Sequence, residues 1–110
     1  MVLGDAELVR LTARGPLGRE IVRRIVARRL NELRYCQRRE RARGRPTKGK
    51  IAISFTIEPD GSADSVETTG STTTNTNLEA CVEQAPTRWR FPQAKNTTAV
   101  GLETSFSGLH

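Results

Sequence analysis

GPLGREIVRRIVARRLNELRYCQRRERAR, residues 15–43, is the stretch on which the fold turns. Ile21, Val22, Ile25, Val26, Leu30 and Leu33 recur at helical pitch, and Cys36 continues the same face. Between them Arg19, Arg23, Arg24, Arg28, Arg29, Arg34, Arg38 and Arg39 cover the opposite side. The pattern predicts one long amphipathic helix. Gly15-Pro16 opens it, because proline is tolerated in a first turn, and Gly44 with Pro46 closes it. Such a helix cannot bury its own apolar stripe, so a later part of the chain must cover it.

The natural cover lies just downstream. From Lys50 to Glu58 the residues Ile51, Ile53, Phe55 and Ile57 alternate with Ala52, Ser54 and Thr56, which is the period of a half-buried strand. Pro59-Asp60-Gly61 then reads as a turn, with proline presetting φ and glycine permitting positive φ. A second strand over Ser62–Thr69 returns to form a hairpin, and Gly70–Asn77 is a polar loop that offers helix N-caps. Leu78, Cys81, Val82, Ala85 and Trp89 predict a shorter helix, which Pro86 stops or kinks at Ala85. Phe91-Pro92 starts a connection, and Thr97–Phe106 reads as a third strand. Residues 1–14 are a weakly structured lead-in, in which Leu8, Val9 and Leu11 fit a short strand or a helical turn. The order helix-strand-strand-helix-strand predicts an α+β domain over residues 15–110: a three-stranded antiparallel or mixed sheet with two helices on one face.

Bulk composition bounds the function. At 110 residues the chain makes one domain, and with 5% aromatics its core must come from Ile, Val and Leu. No apolar run is long enough to span a membrane, and no charged-then-apolar leader opens the chain, so export implies a leader that was removed or lies outside this sequence. The net charge of +6 is divided unevenly: residues 1–50 carry 15 of the 18 basic residues and five of the 12 acidic ones. That asymmetry fits an acidic partner, whether nucleic acid, an anionic surface or an acidic protein face, and it also fits a solvated arginine-rich helix.

No catalytic set can be assembled. His110 is the only histidine, and no nucleophile–base pair or paired carboxylates occur, so the chain is not expected to be an enzyme or to take a small-molecule substrate. Neither a cofactor fingerprint nor a metal set with usual ligand spacing is present. Gly44-Arg45-Pro46-Thr47-Lys48-Gly49-Lys50 matches a phosphate-loop pattern in form, but Ile51 stands where Ser or Thr is needed. The segment also follows a helix rather than a strand. Asn96-Thr97-Thr98 matches a glycosylation acceptor too common to use. Arg43-Gly44-Arg45-Pro46 resembles the core of an AT-hook, which supports an alternative reading as a nucleic-acid-binding domain together with the arginine-rich helix. Cys36 and Cys81 both lie on apolar helix faces that dock on one sheet, which suits a disulfide worth roughly 3–5 kcal/mol and equally suits two buried thiols.

Several phrases, taken in order, resemble the TonB-type C-terminal domain, specifically its AgmX/PglI branch of myxobacterial gliding-motility and energy-transducer proteins. They are Leu33-Arg34-Tyr35-Cys36, then Pro46 and Gly49-Lys50-Ile51-Ala52-Ile53-Ser54-Phe55-Thr56-Ile57 with Asp60-Gly61. Glu79-Ala80-Cys81-Val82 and Trp89-Arg90-Phe91-Pro92 follow. The likeness runs from about Gly15 to Phe106 and departs at Pro86, where the family continues its helix toward the tryptophan. It implies a non-catalytic periplasmic domain, with an inner-membrane anchor and a proton-driven motor upstream, and an outer-membrane or periplasmic protein or peptide as partner. It implies that Cys36 and Cys81 are bonded. It also implies partner binding by strand addition beside the last strand, Thr97-Thr98-Ala99-Val100-Gly101-Leu102-Glu103-Thr104-Ser105-Phe106, which is an open edge in a three-stranded sheet unless residues 1–14 or a dimer shield it. Arg88, Arg90 and Lys95 are then expected nearby to favour an acidic peptide.

Overall fold

The computed structural model describes residues 6–106; His110 and the first five residues lie outside it. Strand β1 (Glu7–Arg14) is followed by helices α1 (Arg19–Arg28) and α2 (Leu30–Ala42), then the hairpin β2 (Gly49–Ile57) and β3 (Ala63–Ser71). Helix α3 (Thr76–Gln84), a 3-10 turn over Ala85–Arg88 and strand β4 (Thr98–Phe106) complete the chain. All pairings are antiparallel, and the sheet order is β1-β4-β2-β3.

The sheet therefore has four strands, not three. Residues 7–14 are not a loose lead-in; they pair along β4 from Glu7↔Ser105 to Arg14↔Ala99, with a bulge between Leu8 and Arg10. This bulge is why alternation did not mark the strand, since an extra residue breaks the period of two. Leu11 is the strand's one buried side chain. Gly15, at φ 143°, turns the chain out of β1; a Cβ there would stand 2.6 Å from the Thr97 carbonyl oxygen.

The long helix is interrupted once. Arg29 leaves helical geometry at φ −98°, ψ 1°, and its N–H reaches back to the Val26 carbonyl at 2.9 Å. No Gly or Pro marks that break. Before it, Val22 and Val26 are buried one turn apart; after it, Leu33, Cys36, Gln37 and Glu40 form the buried face. Gly44, at φ 74°, lies just past the end of α2, as its sequence position suggests. In β2 the four alternate large residues Ile51, Ile53, Phe55 and Ile57 are all buried, together with Val100, Leu102 and Phe106 of β4 and Leu78 and Val82 of α3. Helix α3 is capped by Asn75, whose side-chain oxygen accepts the Leu78 N–H at 2.9 Å, and it ends one residue before Ala85 as Pro86 requires. Trp89, beyond the 3-10 turn, is fully buried with its ring edge-on to Phe55 at 6.2 Å.

Candidate functional site

Cys36 and Cys81 are bonded, with Cα atoms 5.8 Å apart, tying α2 to α3. The stripe on α2 and the apolar face of α3 bring the two residues together, and the bond suits an oxidising compartment. No other cysteine exists in the chain. Among the described residues no cluster of three His, Cys, Asp or Glu is placed to hold a metal, and no helix is long and apolar enough to cross a membrane.

β4 is not an edge. Its Thr98–Phe106 backbone is flanked by β1 on one side and β2 on the other, so the expected free strand is interior to the sheet. The reason is that β1 supplies the fourth strand. Two of the three residues expected to favour an acidic peptide there, Arg88 and Arg90, have partners within the fold. Arg88 pairs with Glu32 of α2 at 3.2 Å, and Arg90 donates to the Trp89 carbonyl while its backbone bridges Ser62 at the far hairpin end. Lys95 is exposed in the connection before β4.

The two AT-hook-like arginines are also engaged. Arg43 and Arg45 each reach the Glu40 carboxylate at 3.4 Å, and Asn75 donates to it at 3.1 Å while also donating to the Pro46 carbonyl. Glu40 is completely buried. Burial pushes its carboxyl up, but the Asn75 hydrogen bond and the Arg45 and Arg43 guanidiniums together hold it below its ordinary value. The cluster joins the end of α2, the 43–47 connection and the α3 N-cap. Its basic members therefore help to hold these three parts of the fold together.

The outer strands, β1 and β3, are finished in opposite ways. On β3, the Thr68 N–H and hydroxyl both donate to the Glu83 carboxylate of α3, at 3.1 and 2.6 Å. The Ser71 hydroxyl donates to Glu79 at 2.6 Å. Ser65 sits at φ 55°, and the register against β2 shifts twice. Acidic side chains and irregular backbone thus close this side to a further strand.

On β1 the closing groups are arginines and the groups closed are carbonyls. Arg19 Nε donates to the Leu11 oxygen at 2.9 Å, and Arg34 Nε to the Ala6 oxygen at 3.3 Å. Between β1 and the two helices runs a groove of about 320 Å³. Leu8, Leu11, Ala27 and Leu30 line its floor, and Arg10, Arg19, Arg23 and Arg34 its rim. Arginines 19 and 34 were read from the sequence only as a wet helix face. Their contact with β1 leaves no local mark, because the sequence leaves residues 7–14 open between a short strand and a helical turn.

No family model and no curated protein matches the chain. Among solved structures, the Helicobacter pylori TonB C-terminal domain superposes with a TM-score of 0.54 at 22% identity, covering 86% of each chain. The Pseudomonas aeruginosa TonB C-terminal domain gives a TM-score of 0.48 at 20% identity over 96% of this chain and 88% of its own. The chain is thus similar in fold to a TonB C-terminal domain.

Proposed function

We propose that this domain is a non-catalytic periplasmic protein-interaction module of a TonB-like machine, in energy transduction or gliding motility. In that role it grips an extended segment of an outer-membrane or periplasmic partner by strand addition on the β1–β4 side of its sheet. The observation that carries the reading is β1. It joins the sheet along nearly its whole length through backbone pairing with β4, yet buries only Leu11 of its eight side chains. That side of the sheet accepts a strand for its backbone rather than for its side chains, which is the physics of strand addition. The disulfide supports both the compartment and the mechanics, since a covalent tie between α2 and α3 resists separation of the helices under load. In the full machine an upstream inner-membrane anchor would transmit force from a proton-driven motor to this grip.

Amide-shift titration of the domain with peptides from periplasm-facing segments of candidate outer-membrane proteins tests the reading. Shifts should concentrate in Glu7–Arg14 and Thr98–Phe106. Shifts confined to the exposed arginines of α1 and α2, with both strands silent, would overturn it.

A further inference from the structure

We infer that the groove between β1 and the α1–α2 pair is the binding site, and that its occupant is an acidic extended peptide in which apolar residues alternate with carboxylates. The inference rests on the strand-addition reading and specifies which backbone receives the strand and what chemistry the strand carries. The partner adds to the outer side of β1, with β1 remaining on β4.

Three features of the groove converge on that occupant. First, its backbone acceptors are not taken up by a strand. The Leu11 and Ala6 carbonyls are held by the side chains of Arg19 and Arg34. These are flexible groups, and Arg19 is about half exposed. A carboxylate entering the groove offers those guanidiniums a stronger, charge-assisted partner. Once they turn to it, the two carbonyls are released for the N–H groups of the same incoming strand. Binding of the acid and pairing of the backbone are therefore coupled.

Second, the rim is basic. Arg10, Arg19, Arg23 and Arg34 line it, with Glu7 as the one acidic lining residue among the described residues. Glu20 is shared between Arg19 at 3.8 Å and Arg23 at 3.4 Å. A lysine-rich segment meets like charge here; an acidic one does not.

Third, the floor is apolar and partly uncovered. Leu8 and Leu30 are half-buried, and Val9, pushed out by the bulge, is 51% exposed. A strand has side chains on alternate faces, so every second residue of the incoming segment meets this floor. The opposite side of the sheet gives the contrast. There the Thr68 N–H and the Ser71 hydroxyl already bond to carboxylates of α3, and an acidic segment would be repelled.

The test uses the whole domain and two capped octapeptides, one alternating valine with glutamate and one alternating valine with lysine. A locked variant, Thr12→Cys with Gly101→Cys, joins two directly opposed residues of β1 and β4 so that β1 cannot leave. A second variant, Arg19→Gln with Arg34→Gln, keeps a donor for each β1 carbonyl while removing both charges. The glutamate peptide should bind the native and locked domains within about twofold of each other, and more weakly as salt rises. The glutamine variant should lose about fivefold or more in affinity, the sum of two partly exposed charge contacts. Equal binding of the lysine peptide would overturn the charge assignment. Loss of binding in the locked domain alone would overturn the site while leaving strand addition intact, because the partner must then replace β1 on β4. Failure of both peptides to bind, alongside positive shifts from partner-derived segments, would overturn the acidic occupant and spare the broader reading.

Discussion

Severing the Cys36–Cys81 bond is the sharpest perturbation available. The bridge spans a sequence separation of 45, and the chain-entropy relation for a loop of that length gives about 4 kcal/mol at 25 °C. A small domain has roughly 5–15 kcal/mol in all, so the bond contributes a large share. For a chain of this size that loss lowers the melting temperature by about 15 °C or more. Urea unfolding of the oxidised domain, the domain in reductant, and a Cys36→Ala/Cys81→Ala variant measures it. The reduced domain isolates the covalent term. The alanine variant adds the lost packing of Cys36, which is 1% exposed in the core. Both should also unfold with a steeper denaturant dependence, because an uncrosslinked chain exposes more surface. A loss under about 1 kcal/mol in reductant would refute the reasoning: α2 and α3 would then be held by packing alone, and the staple would be incidental to load.

Other consequences follow from single contacts. Glu40 has its carboxyl held below its ordinary value of 4.5 in the fold, so its stabilisation is complete above that value and is lost as pH falls through the depressed one. Acid unfolding of native and Glu40→Gln domains should show the native curve falling more steeply in that window, and Glu40→Ala should cost about 2 kcal/mol at neutral pH by removing a buried acceptor of the Asn75 amide and leaving its space unfilled. Replacing Gly61 with alanine drives a Cβ into the Phe91 carbonyl at φ 93°, and calorimetry should show a loss of about 2 kcal/mol or more. Glu83→Ala uncovers the Thr68 N–H on β3, so sedimentation should reveal stronger concentration-dependent association than for the native domain.

Much of this fold was readable because its signals are periodic. The alternation from Ile51 to Ile57 found β2, the helical spacing of Val22, Val26, Leu33 and Cys36 found the covering face, and Pro86 located the end of α3. The failures share a cause: each depends on tertiary partners that leave no local mark. β1 has a bulge and one buried residue, so its identity comes from backbone pairing to β4, ninety residues away in the chain. The Arg29 break carries no glycine or proline. Glu40 reads as one more charge on a charged helix, and only its docking against Asn75 makes it a buried hub. The consequence for the candidate site was direct. With residues 7–14 left open between strand and helical turn, β4 reads as an edge and the arginines that hold β1 read as solvent-facing residues.

The two sides of the sheet differ in how readily they open, and the difference is physical rather than nominal. On β3 one carboxylate oxygen takes two donors from the same residue, part-buried against α3, and the backbone around it is bent by a positive φ at Ser65. Opening that side strands a charge and still leaves an irregular template. On β1 each carbonyl is met by one guanidinium nitrogen, and an incoming carboxylate compensates the same arginine that it displaces. An interaction that can be exchanged at little net cost suits a grip that must engage and release, whereas the β3 arrangement suits a side kept permanently shut. The uneven charge of the sequence, basic before the hairpin and acidic from the hairpin onward, thus accompanies two differently finished flanks of one sheet.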